Sequence, residues 1–130
     1  MSQEDQSRRL VILVDDTSDC SATLEIALAA GGLFISRICG SAEEALDVMR
    51  SIRPAAVVTD IHLPGMSGLA LIEELKGLFA ECCPPIIAVS GDGDPDLKTH
   101  ALNAGANAFF AKPYSPWEVC RALEDLIHDV

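Results

Sequence analysis

The chain alternates between two kinds of hydrophobic pattern. Short runs rich in Val, Ile, Leu and Ala are each followed by a longer segment whose apolar positions recur at helical spacing, the signature of strands and amphipathic helices in succession. Leu10-Val11-Ile12-Leu13-Val14 is apolar throughout, as expected of a strand covered on both faces. Leu24, Ala27 and Leu28 share one face of a helix that Thr17 or Ser18 can cap and that Gly31-Gly32 ends. The stretch from Leu33 to Ile38 reads as a second, less regular strand. Ser41-x-x-Glu44 then makes a capping box ahead of Ala45, Leu46, Met49 and Ile52, and Pro54 closes that helix.

The same rhythm continues to the end. Ala55 to Thr59 is a third strand, and a loop with Pro64-Gly65 leads to a helix through Leu71, Ile72, Leu75 and Leu78. Pro85 to Val89 is a fourth strand. Asp94-Pro95 supplies a cap and a first-turn proline for a short helix running to about Gly105. Ala106 to Ala111 is a fifth strand, and Ser115-Pro116-Trp117-Glu118 opens a final helix with Val119, Ala122, Leu123, Leu126 and Ile127 on its apolar face. Trp117 reads as a packing residue at the start of that helix. Five βα units in a row predict an α/β fold with a parallel sheet between helical layers.

Length and composition narrow this further. With 130 residues there is room for one domain, expected over residues 10–130 behind a flexible N-terminal tail at 1–9. Aromatics make up only 5% against 49% apolar residues overall, so the core must be filled by aliphatic side chains. No apolar run approaches the roughly 18 residues needed to span a bilayer, and the first nine residues lack the apolar stretch of a signal peptide; a soluble, cytoplasmic protein is expected. Five cysteines without a Cys-x-x-Cys pair read as free thiols in a reducing compartment, and Cys82-Cys83 lacks the surroundings that would lower a thiol pKa. Twenty acidic residues against nine Lys plus Arg give a net charge of −11, which argues against direct binding to nucleic acid or an anionic membrane and favours a cationic partner or a divalent metal.

The chemistry lies in where the polar residues fall. Asp15 and Asp16 follow the first strand, Asp60 the third, Ser90 the fourth and Lys112 the fifth, each at the carboxyl end of its strand. Ligands of open α/β sheets bind outside those ends. Carboxylates gathered in such a crevice repel one another and call for a counter-cation. Oxygen-only ligation points to magnesium, with manganese as the alternative, and argues against zinc. A serine hydroxyl and a lysine ammonium both suit phosphate oxygens, so the set reads as a phosphoryl-transfer site. Taken singly, Asp15 or Asp16 could be a helix cap, Asp60 an Asx-turn residue, Ser90 a loop hydroxyl and Lys112 a surface charge. Their joint placement at strand ends favours the functional reading. His62, His100 and His128 lack metal-ligand spacing, and Gly91-x-Gly93 is too short for a dinucleotide fingerprint.

Asp15-Asp16, Asp60-x-x-Leu63-Pro64-Gly65-Met66-x-Gly68, Ser90-Gly91 and Lys112-Pro113 together resemble, in order and spacing, the motif set of the response-regulator receivers of two-component systems. The resemblance covers essentially the whole fold and implies a flavodoxin-like (βα)5 three-layer sandwich with parallel strand order 2-1-3-4-5. It implies that Asp60 accepts a phosphoryl group from a sensor histidine kinase or histidine phosphotransferase. Magnesium would be held by Asp16, Asp60 and the backbone carbonyl of His62, with Asp15 acting directly or through water. Lys112 would pair with Asp60 and then with the phosphate, Ser90 would hydrogen-bond the phosphate, and Phe109 would turn inward. The resulting switch would be read by a downstream protein on the face of helix 4, strand 5 and helix 5, with the protein a monomer or a phosphorylation-dependent homodimer. His62 and Asp92, each two residues past a site residue, are expected to tune the lifetime of the phosphoryl group. Such a protein catalyses only its own phosphotransfer and dephosphorylation. The competing reading, a magnesium-dependent phosphatase working through an aspartyl phosphate, would want an acid at the position of His62.

Overall fold

The structure is a computed structural model describing residues 8–17 and 19–128. Its elements follow the predicted alternation: β1 (Arg9–Val14), α1 (Asp19–Ala30), β2 (Phe34–Cys39), α2 (Ala42–Met49), β3 (Ala56–Asp60), α3 (Gly68–Phe79), β4 (Ile86–Ser90), α4 (Asp96–Ala104), β5 (Ala108–Ala111) and α5 (Pro116–His128), with a short 3-10 turn at Ala80–Cys82. The strands are all parallel and lie in the order β2-β1-β3-β4-β5. This is the flavodoxin-like sandwich expected from the motifs.

Alternation along the strands decides which helices cover which face. Val11, Leu13, Ala56, Val58, Ile87 and Val89 point to one side, where they pack with Leu24 and Leu28 of α1 and Val119 and Leu123 of α5. Ile12, Val14, Val57, Ile86 and Ala88 point to the other, against Leu46 and Met49 of α2, Leu71, Ile72 and Leu75 of α3, and Leu97 and Ala101 of α4. Burying each large aliphatic side chain contributes roughly 1.5–3 kcal/mol, so the two aliphatic clusters, with β3 and β4 buried along their whole length, hold the sheet rigid beneath the site.

Several local expectations shift. Arg9 already pairs with Phe34, so the sheet begins one residue before Leu10; residues 1–7, the rest of the expected tail, and the capping candidate Ser18 lie outside the described residues. The capping box at α2 forms with a one-residue offset: Ser41 Oγ accepts from the Glu44 amide at 3.1 Å, while Glu44 reaches back to the Gly40 amide at 3.0 Å. That helix ends at Met49, before Pro54, and leaves Ile52 outside it and exposed. Trp117 is 63% exposed and does not pack into the core; it lines a surface groove of about 460 Å³ with Leu28, Leu33 and Phe34. Of the thiols, Cys39 and Cys120 are buried, Cys20 and Cys83 half-buried and Cys82 exposed, and all are free. Burial raises the Cys83 thiol pKa, the opposite of what a reactive thiol needs. Among the described residues no helix is long and apolar enough to cross a membrane.

Candidate functional site

The parallel ladder runs one step beyond β1, β3 and β5 and so holds Asp15, Ile61 and Lys112 at the carboxyl edge of the sheet. The Asp15 amide donates to the Cys39 carbonyl at 3.0 Å, the Ile61 amide to Val89 at 2.9 Å and the Lys112 amide to Ser90 at 2.8 Å. Because β1 sits between β2 and β3, the chain leaves β1 and β3 toward opposite sides of the sheet, and the crevice predicted for such a reversal opens where Asp15, Asp16 and Asp60 meet. Each of the three can offer a carboxylate oxygen within 4.8 Å of the others. Asp15 and Asp60 are buried and Asp16 is exposed.

The two buried acids are held by defined partners. Asp15 Oδ1 accepts from the Thr17 amide at 3.0 Å and the Thr17 hydroxyl at 3.1 Å. Asp60 Oδ1 accepts from the His62 amide at 3.2 Å. Lys112 Nζ lies 2.7 Å from Asp60 Oδ2 and 3.5 Å from Asp15 Oδ2, with only 15% of its side chain exposed. Burial opposes the charge on Lys112, but the hydrogen bond and charge of Asp60, and then the charge of Asp15, outweigh it and raise its pKa above the usual lysine value. The ammonium is thus held charged against two carboxylates.

Ser90 is fully buried at the end of β4. Its Oγ accepts from the Asp92 amide at 3.0 Å. The same Asp92 reaches His62, with Nε2 to Oδ2 at 3.2 Å and both side chains about half exposed. Residues two positions past Asp60 and Ser90 therefore touch each other. Phe109 pairs with Ala88 across the sheet and packs, partly buried, on the α2–α4 side, while Phe110 faces the α1 and α5 side. The Lys112–Pro113 peptide bond is cis.

Close approach explains one glycine of the motif. The Gly68 amide donates to the Ile61 carbonyl at 2.8 Å, and a Cβ on Gly68 would overlap the Asp60 carbonyl oxygen and stand 2.8 Å from the Ile61 Cα. Helix α3 can start against the end of β3 only because this side chain is absent. Gly91 is under no such demand, since a Cβ there would meet only Lys112 Cβ at 3.8 Å. Two supporting residues were not singled out from sequence as part of the site. Thr17 has the two-residue spacing of an Asx turn from Asp15, a signal overshadowed by its reading as a helix cap. Tyr114, whose hydroxyl donates to the Cys20 carbonyl at 3.4 Å, carries no sequence signal at all.

The donor set fits a hard divalent cation: carboxylate oxygens only, open to solvent on the Asp16 side, with few protein ligands, as magnesium prefers. Comparison with known proteins agrees with the fold. The family model described as the response regulator receiver domain matches residues 11–124, and the chain belongs to that family. It is 35% identical over 81% of its length to the C4-dicarboxylate transport transcriptional regulatory protein DctD of Rhizobium meliloti, of which it covers 22%. It is 33% identical over 92% of its length to the DNA-binding transcriptional regulator NtrC of Escherichia coli, covering 25%. It is 30% identical over 88% to the DNA-binding response regulator MtrA of Mycobacterium tuberculosis, covering 49%. The chain thus spans half or less of the length of these relatives. Among solved structures it resembles a response regulator from Chloroflexus aurantiacus, with a TM-score of 0.85, 29% identity and coverage of 93% of this chain and 98% of the other.

Proposed function

We propose that Asp60 is the phosphoacceptor of this receiver domain and that the pocket of Asp15, Asp16, Asp60, Ser90 and Lys112 carries out magnesium-dependent phosphotransfer. The observation that carries the reading is the convergence on Asp60 of a lysine ammonium at 2.7 Å and two further carboxylates. A carboxylate oxygen of Asp60 attacks the phosphorus of a phosphohistidine, the P–N bond breaks, the imidazole leaves with the electron pair, and an acyl phosphate remains. Loose phosphoryl transition states need chiefly positioning and charge neutralisation. Bound magnesium, held by Asp15, Asp16, Asp60 and the His62 carbonyl, supplies the neutralising positive charge. Lys112 orients Asp60 beforehand and takes up phosphate charge afterwards.

Ser90 then leaves the Asp92 amide to donate to the phosphate, and Phe109 fills space on the β5 side, so that the face of α4, β5 and α5 changes its affinity for a downstream protein. The partners are a sensor histidine kinase or histidine phosphotransferase in the cytoplasm and that protein target. With a net charge of −11, the receiver itself makes no direct nucleic-acid contact. His62 and Asp92 tune how long the phosphoryl group lasts.

The test is to incubate the protein with magnesium and acetyl phosphate, following intact mass, with Asp60→Asn alongside. One added phosphoryl group on the wild type and none on the variant is the expected result. Modification of Asp60→Asn to the same extent would reassign the acceptor.

A further inference from the structure

Building on the cation site proposed above, we infer that Glu43 is a positioning residue for it, holding the β3–α3 loop that carries the His62 carbonyl. Glu43 lies in the first turn of α2, far in sequence from the site. Its Oε2 accepts from the Met66 amide at 3.1 Å. The same carboxylate occupies the space beside Gly65: a Cβ there would come within 2.8 Å of Glu43 Oε2 and 3.5 Å of its Cδ. Gly65 also sits at φ +75°, a conformation that other residues adopt at a cost. A glycine without a side chain and a carboxylate filling the vacated volume are thus one arrangement, in which α2 grips the loop.

The grip matters because of what the loop carries. Its ends are anchored at β3 and α3, through Ile61 to Val89, Gly68 to Ile61 and the Ser67 cap on Ala70. Between them run His62, Leu63, Pro64 and Gly65, and the bond from Met66 to Glu43 ties this middle section to a different element. In the proposed site His62 would offer its backbone carbonyl to the cation, and its ring contacts Asp92. A loop free to drift moves that carbonyl, and a cation ligand displaced by a fraction of an ångström binds less tightly.

Three variants separate this role from simple loss of charge: Glu43→Ala, Glu43→Gln, which keeps an acceptor but not the charge, and Glu44→Ala, which removes a neighbouring acid that caps α2 but does not touch the loop. Two quantities are read, magnesium affinity by calorimetry and amide hydrogen exchange of residues 62–67 in metal-free protein. Glu43→Ala is expected to weaken magnesium binding about twofold to tenfold, the worth of one hydrogen bond, and to speed exchange in the loop, with Glu43→Gln close to wild type and Glu44→Ala unchanged in both. Wild-type exchange and affinity in Glu43→Ala would overturn the inference, as would equal weakening in all three, which would reduce the effect to charge or helix stability. Should the wild type itself bind no magnesium, the cation reading falls, while the metal-free exchange still decides whether Glu43 holds the loop.

Discussion

His62 Nε2 lies 3.2 Å from Asp92 Oδ2, joining the loop after β3 to the loop after β4 beside Asp60 and Ser90. Neither loop reaches the other through its backbone; the contact exists because each strand end places a side chain two residues on. A pair about half exposed is worth little as stability, typically under 1 kcal/mol, so its consequence is expected in access to the acceptor.

If the pair obstructs water, His62→Ala and Asp92→Ala each release phosphate about twofold to fivefold faster than wild type, the range that a pair of this energy allows. Because the two side chains act together, the double variant should gain less than the product of the singles. Decay of the phosphorylated mass after removal of the donor measures this. A double variant whose gain equals the product of the two single gains would show that the residues act independently.

Gly68→Ala is expected to be costly. The new methyl would overlap the Asp60 carbonyl, and overpacking of this kind destabilises by about 1–3 kcal/mol. Urea unfolding should show that loss, and phosphorylation by acetyl phosphate should fall with it because the acceptor strand end moves. The matching Gly91→Ala change, with 3.8 Å of clearance to Lys112 Cβ, should leave stability nearly unchanged.

Metal removal gives a third check. A ligand that binds the folded state alone at tenfold its dissociation constant adds about 1.4 kcal/mol, or roughly 3–6 °C in Tm for a domain of this size. Magnesium should therefore raise Tm, chelation should reverse the shift, and Asp16→Asn should abolish it. Asp16 suits this experiment because it is the exposed member of the cluster.

The pKa of Lys112 is raised, so its contribution to folding is complete below the unfolded-state value of about 10.4 and is lost as pH rises through the still higher folded value. In metal-free buffer the stability difference between wild type and Lys112→Met should stay constant from neutral pH to about pH 9 and shrink above about pH 10.4. The single tyrosine, Tyr114, adds to alkaline sensitivity: burial, followed by nearby Cys20, Asp15 and Asp60, raises its pKa, so folding loses stability once pH passes the unfolded tyrosine value of about 10. Spectrophotometric titration should place the Tyr114 midpoint above that value in folded protein and near it in urea.

The order and type of the five strands and five α-helices were legible in the residues alone, though not the 3-10 turn at Ala80–Cys82, because strand and helix patterns are local: Leu10 to Val14 is apolar whichever way the chain folds, and Leu71, Ile72 and Leu75 share a helix face by spacing alone. The same locality put Asp15, Asp60, Ser90 and Lys112 at strand ends, and their order matched a known motif set. Helix ends were less legible, as at Ile52, where the last turn depends on what is available to bury it. Tertiary structure alone decided the contacts between elements distant in sequence: Lys112 on both Asp60 and Asp15, His62 on Asp92, Glu43 on Met66, and Trp117 left on the surface. These depend on the register of strands and the angles at which helices pack, set by the whole core at once and carried by no single stretch of residues.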